Sequence, residues 1–80
     1  MDDDDLVKRI DNLVAEEHRL ELSHQGEGLG PEETARREAI EVALDQCWDL
    51  LRQRRARRQA GQDPDDAAVR SPEVVEHYQQ

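Results

Sequence analysis

The chain has 80 residues, of which 39% are charged and 35% hydrophobic, and its net charge is −9. A chain of this length forms one small domain at most, and burying only about 60% of its unfolded surface leaves it in need of a stabilising partner chain or metal. The single cysteine, Cys47, excludes an internal disulfide and fits a reducing compartment, while the acidic balance disfavours polyanionic partners.

The sequence carries no signal for secretion or for membrane insertion. No basic segment followed by an apolar segment begins the chain, as a secretory signal would require. Uninterrupted apolar runs are only a few residues long, whereas a helix that crosses a bilayer needs roughly 20. We therefore expect a cytoplasmic protein with no membrane partner.

The first predicted element is a helix over about residues 3–23. Its apolar stripe repeats at alternating steps of four and three residues and consists of Leu6, Ile10, Leu13, Glu17 and Leu20. This spacing is typical of the contact face in helical hairpins and coiled coils. Glycines and a proline then predict a loop over residues 24–30.

The second predicted element is a longer helix over about residues 31–60. Pro31 followed by Glu32 and Glu33 is typical of a helix start. The N–H that proline lacks would have no partner within the helix at this position, and the acidic side chains lie at the positive end of the helix dipole. The alternating spacing continues through Ile40, Leu44, Cys47, Leu51, Arg54 and Arg58. Gly61 and Pro64 predict the end of this helix.

The predicted fold class is all-α, with residues 1–60 forming an antiparallel, coiled-coil-like hairpin. A short loop between two helices favours antiparallel packing, and a turn centred near Gly28 places Leu13 near Leu44. The same turn places Asp2–Asp5 near Arg52–Arg54. Residues 61–80 are predicted as an arm with one or two short helices, because Asp63 and Ser71 are each an N-cap residue followed by proline.

Two helices bury only a narrow seam, and Trp48 and Leu50 widen the apolar surface beyond it. The surplus is covered either by a second copy, giving a homodimeric helical bundle, or by the arm folding back. In the second arrangement the anchors are Val74, Val75 and Tyr78. We favour the homodimer.

Five of the 11 basic residues lie within Arg52–Arg58. The simplest interpretation is counter-charge for Asp2–Asp5 across the hairpin, since each cluster also lies at the favourable end of its own helix dipole. A nucleic-acid interface is the alternative, disfavoured by the net charge and by the lack of interleaved aromatic residues. A third interpretation, in which the surplus positive charge binds an acidic surface of a partner protein, is also compatible with the sequence.

Four segments together resemble a known family. They are Leu13–His18, the block LDQCWDLLRQRRARR at residues 44–58, Asp63-Pro64, and Val74–Tyr78. The chain resembles the small actinobacterial proteins grouped as domain of unknown function 2630, and the likeness covers nearly its whole length. The resemblance implies a small stand-alone protein, and it implies no activity, substrate or cofactor.

Glu17, Glu21 and His24 are candidate metal ligands on one side of the first helix. Glu21 and His24 have the Glu-x-x-His spacing of carboxylate metal sites in helical bundles, which need a second such unit, here from a dimer. The alternative pairs Glu17 and Glu21 with Arg36 and Arg37. We favour a third interpretation for Glu17, in which it sets the register of the seam. No cofactor is expected.

No set of a nucleophile with a base is identifiable, and Cys47 is interpreted as a small core residue, so no enzyme is expected. The predicted function is a small acidic, non-enzymatic interaction protein that acts through a protein partner. Aromatic and arginine side chains dominate binding hot spots, and the candidates here are Trp48, Arg52, Arg54, Arg55, Arg58 and Tyr78. For Trp48 itself we favour the interpretation as a core residue of the hairpin or of the dimer. Nucleic-acid association through Arg52–Arg58 and the dimeric metal site are the alternative functions.

Overall fold

The computed structural model describes residues 1–23 and 28–79, and this part of the chain is all-helical. Helix α1 spans Asp3–Ser23 and helix α2 spans Pro31–Gln59. A short 3₁₀ helix follows at Pro64–Asp66, and helix α3 spans Pro72–Gln79. The prediction of an all-α fold is confirmed. Within the described ranges, no helix carries an apolar stretch that could cross a membrane.

Helix α1 begins with a reciprocal pair of backbone-to-carboxylate hydrogen bonds. The Asp5 N–H donates to Asp2 Oδ1 at 2.9 Å, and the Asp2 N–H donates to Asp5 Oδ2 at 3.2 Å. This capping box satisfies two backbone donors that the first helical turn leaves without partners. Asp2 and Asp5 therefore cap their own helix. The hydrogen bond from the Asp5 backbone, and to a smaller extent the charge of Arg54, lower the pKa of Asp2, so Asp2 is also a counter-charge.

Helix α2 ends in a Schellman motif built on Gly61. The Gln62 N–H donates to the Arg57 carbonyl at 2.7 Å, and the Gly61 N–H donates to the Arg58 carbonyl at 3.1 Å. Gly61 has a φ of 72°, a left-handed conformation that favours glycine. The motif turns the chain sharply and starts the arm back toward α2.

The core lies between α1 and α2. Its buried members are Leu6, Ile10, Leu13, Ile40, Cys47 and Leu50. Arg54 Nε lies 2.6 Å from Asp3 Oδ1, and Arg36 Nη2 donates to Glu16 Oε1 at 2.7 Å. The start of α1 therefore lies beside the end of α2, while the second half of α1 lies beside the first half of α2.

The arm packs on α2 of its own chain, and polar side chains of α2 make several of the contacts. Gln53 Nε2 donates to the Ala68 carbonyl at 2.8 Å, and Gln46 Nε2 donates to the Arg70 carbonyl at 3.2 Å. Asp49, only 3% exposed, accepts from Arg70 Nε at 3.0 Å. These bonds hold an extended stretch of backbone against a helix.

Of the three arm residues predicted as anchors, Val75 is buried, at 0% exposure, and Val74 is exposed. The side chain of Tyr78 lies outside the described part of the chain. Ala67 of the arm packs against the core cluster that contains Leu50. The arm thus covers one part of the surplus apolar surface of α2, and Trp48 stays outside that cover.

Candidate protein-interaction site

Trp48 is 49% exposed and stands beside an open apolar groove of about 440 Å³. Val7 and Val14 of α1, which are 47% and 49% exposed, form the opposite wall. The rest of the lining is Ile10, Asp11, Ala15 and His18. We call this surface the Trp48 groove. Half of the indole is open to solvent, so Trp48 is not a core residue within a single chain.

The helical period explains why Trp48 lies outside the core. Cys47 is 7% exposed and faces the core, and the next residue along an α-helix is rotated by about 100°. Val7 follows the fully buried Leu6 in the same way, and Val14 follows the buried Leu13. The groove is therefore formed where the flanks of two apolar stripes diverge.

Trp48 shares its side of α2 with four charged residues. This side, which we call the outer face, consists of Glu41, Asp45, Trp48, Arg52 and Arg55, again at alternating steps of four and three residues. Asp45 is half-buried, and the other four side chains are exposed. Acidic residues precede the indole and basic residues follow it, so the outer face carries both signs of charge, separated along the helix.

Arg54 is the most buried of the predicted partner-binding arginines, at 6% exposure. Its Nε donates to Asp3 Oδ1 at 2.6 Å, and its Nη1 donates to Asp65 Oδ1 at 3.0 Å and to the Pro64 carbonyl at 3.2 Å. These hydrogen bonds, from Asp3 first and then Asp65, raise the pKa of Arg54. Its guanidinium joins α1, α2 and the 3₁₀ helix, so it does not fit the prediction of a surface residue that contacts a partner.

Arg58 is also occupied within the chain. It donates to Asp3 through Nη2 at 2.7 Å and through Nη1 at 3.2 Å. The hydrogen bonds from Arg58, followed by those from Arg54, lower the pKa of Asp3. Among the side chains that the structure describes, Arg52 and Arg55 have no hydrogen-bonding or ionic partner. The five arginines therefore differ in their partners: Asp3 holds Arg54 and Arg58, Arg57 donates to Gln62 Oε1 at 3.5 Å, and Arg52 and Arg55 have no partner among the described side chains.

In the part of the chain that the structure describes, the candidate metal ligands do not form a cluster. Glu21 contacts Arg37 at 3.6 Å, and Glu17 is half-buried. His24 lies outside the described residues. Among the side chains that are described, no three His, Cys, Asp or Glu groups are placed to hold a metal ion. Arg36 pairs with Glu16 instead of Glu17, and the hydrogen bonds that Arg36 donates lower the pKa of Glu16.

Cys47 is a buried core residue, as its position in the apolar stripe predicts. Burial raises the pKa of its thiol, and the nearby Arg9 guanidinium acts in the opposite direction. A thiol that is both covered and protonated is a poor nucleophile at neutral pH.

Sequence reasoning missed the polar side of α2 that holds the arm. Gln46, Asp49 and Gln53 are spaced by three and four residues, so they share one side of the helix. That spacing was the available signal, although two amides and a carboxylate do not resemble a packing stripe. Sequence reasoning also gave His18 no role, whereas the structure places it in the wall of the Trp48 groove.

Over residues 1–23 and 28–79 these features define a small all-α protein in which the buried Arg54 guanidinium joins the helices and Trp48 is left exposed. The chain belongs to the family described as protein of unknown function (DUF2630), which matches residues 2–80. The family resemblance inferred from the sequence is therefore confirmed.

Similar proteins occur in mycobacteria. Uncharacterized proteins of Mycobacterium tuberculosis (strains H37Rv and CDC 1551) and of Mycobacterium bovis are 50% identical to this chain over 78 residues. Each alignment covers 95% of this chain and 88% of the relative. No solved structure matches the chain.

Proposed function

We propose that this chain is a non-enzymatic, cytoplasmic interaction protein that binds a protein partner through the Trp48 groove. The observation that carries the proposal is the exposure of Trp48, at 49%, beside a groove whose lining is mainly apolar. Tryptophan and arginine are the residues most enriched in binding hot spots, and Arg52 and Arg55 lie beside the indole. Exposed apolar surface rimmed by charge is typical of protein-interaction sites.

The proposed architecture is a coiled-coil-like helical hairpin that acts as a rigid platform. Arg54, with its bonds to Asp3 and Asp65, supports this proposal because it connects the two long helices to the arm. The groove walls come from both long helices, so their relative position sets the shape that a partner meets. A partner that contributes one further helix, including a second copy of the chain, would complete a helical bundle.

Nucleic-acid association is the weaker candidate function. Two of the five arginines in the Arg52–Arg58 block are held by Asp3, and the outer face also presents Glu41 and Asp45. A phosphate backbone would be repelled by those carboxylates and by the net charge of −9.

Photo-crosslinking tests the proposed function. A photoreactive benzoyl-phenylalanine replaces Trp48 in the full-length chain, which is then irradiated in its own cytoplasm. We expect a discrete crosslinked protein that resists nuclease treatment, because the position-48 side chain would lie against the partner. The matched control carries the same amino acid at Val74, which is 41% exposed on α3.

Two results would contradict the proposal. One is the same set of crosslinks from positions 48 and 74, which would indicate nonspecific collisions. The other is crosslinking from position 48 to nucleic acid, which would favour the alternative function.

A further inference from the structure

We propose that the partner in the Trp48 groove is a second copy of this chain, bound about a two-fold axis that passes near Trp48. In this arrangement Asp45 of each copy pairs with Arg52 of the other, and each Trp48 enters the groove of the opposite copy. The inference rests on the proposed function and names the partner of the same surface.

The charges of the outer face are antisymmetric about Trp48. Glu41 lies seven residues before the indole and Arg55 seven residues after it, which is about 10 Å along the axis in each direction. Asp45 lies three residues before it and Arg52 four residues after it. A two-fold axis that passes near Trp48 and is perpendicular to α2 sets the two α2 helices antiparallel, so acids of one copy face arginines of the other at nearly equal heights.

Within a single copy this face has unsatisfied charges. The side chains of Asp45, Arg52 and Arg55 make no hydrogen bond or ion pair with any residue that the structure describes. Glu41 contacts Arg37 of its own helix at 3.4 Å. By contrast, Asp3 holds Arg54 and Arg58 near the end of the same helix. Three charged side chains close to the exposed indole are therefore left for a second copy to pair.

The apolar part of the surface fits the same arrangement. An isologous interface needs one patch that is complementary to itself, with a projecting group and a cavity on each copy. Trp48 is the apolar side chain of the outer face, and the groove beside it is walled by Val7 and Val14. One two-fold axis therefore buries two indoles and covers two grooves.

A polyanion does not fit this face, because carboxylates occupy half of it. A partner of one charge sign would leave either Glu41 and Asp45 or Arg52 and Arg55 facing like charge. Electrostatic complementarity of this two-sign kind fixes register and orientation between helices. The mixed pattern favours a partner with the reversed pattern, and an antiparallel copy of α2 has it.

Sedimentation velocity over a wide concentration range, on the full-length chain, tests the inference directly. We expect a reversible monomer–dimer equilibrium. Trp48 is the sole tryptophan, so its fluorescence reports the interface without a label. The emission should shift to the blue, and acrylamide quenching should fall, over the concentration range in which the dimer forms.

Charge exchange tests the proposed pairing. Arg52→Glu and Asp45→Arg should each raise the dimer dissociation constant about tenfold or more, because each change places like charges together at two symmetric positions. The double variant, Asp45→Arg with Arg52→Glu, should restore the constant to within about threefold of wild type, since opposite charges again meet. Lys8→Glu is the matched control: it reverses one exposed charge outside the groove and should leave the constant unchanged.

The outcomes are separable from those of the proposed function. A chain that stays monomeric at every concentration overturns the inference, even if position 48 crosslinks to another protein. A dimer that ignores both single reversals, or a double variant weaker than either single one, overturns it as well. Circular dichroism of each variant confirms that the helices are intact, so a loss of dimer is not mistaken for unfolding.

Discussion

Replacing Val75 by alanine tests whether the C-terminal arm belongs to the folded core. Val75 is 0% exposed, whereas its neighbour Val74 is 41% exposed in the same helix. The two residues are chemically identical and adjacent, so their alanine variants differ only in what surrounds the missing carbons.

The expected magnitude follows from the buried groups. Valine to alanine removes two carbon groups, each worth about 0.8 kcal/mol when buried, so the transfer loss at Val75 is about 1.6 kcal/mol. A residual cavity adds to this loss. Alanine has a better helix propensity than valine, which recovers about 0.5 kcal/mol of the free energy of unfolding at both positions. We expect Val75→Ala to lower the free energy of unfolding by about 1–2 kcal/mol and Val74→Ala by less than about 0.5 kcal/mol.

Urea unfolding followed by far-ultraviolet circular dichroism measures both free energies. For a chain of this size, each kcal/mol corresponds to about 4–8 °C in melting temperature, so thermal melts give an independent check. Equal losses in the two variants would refute the reasoning, because they would mean that α3 is not held through Val75.

Three further predictions concern the core and its charges. Ile40→Ala should lower the free energy of unfolding by about 2–5 kcal/mol, because Ile40 is 0% exposed; a loss below 1 kcal/mol in urea titration would place it outside the core. The pKa of Asp3 is lowered by Arg58 and Arg54, so Asp3 contributes stability that is complete above about pH 4 and is lost as the pH falls further. In acid titrations Asp3→Asn should flatten that loss, and an identical acid profile would argue against the pairing. Cys47 should react with a thiol reagent at neutral pH only as fast as the chain unfolds; reaction at the rate of a free thiol would contradict its burial.

Local chemistry made much of the helical structure predictable. Alternating apolar residues such as Leu6 and Ile10 predict the buried side of α1, and both are buried. Proline after an N-cap residue predicts a helix start, and α3 begins at Pro72. The sequence also predicted that the aspartates at the start of α1 lie near the arginines of α2, and Asp3 contacts Arg54 at 2.6 Å.

The position of the arm and the exposure of Trp48 could not be predicted in the same way. The arm is fixed by side chains such as Gln53, which bonds to a backbone carbonyl, and backbone acceptors carry no sequence signature. Trp48 lies at the margin of the stripe next to Cys47, where a small rotation of α2 decides between core and solvent. A periodic pattern defines the centre of a buried face better than its edges.

Arg54 has a consequence for the cooperativity of the whole molecule. Its guanidinium binds an acid near the first residue of the chain and another some sixty positions later, so opening either end leaves the same charge partly unmatched. Removing one partner of a buried charge destabilises whatever still surrounds it. We therefore expect the first turn of α1 and the 3₁₀ helix to be coupled in melting, so that opening of one weakens the other instead of staying local.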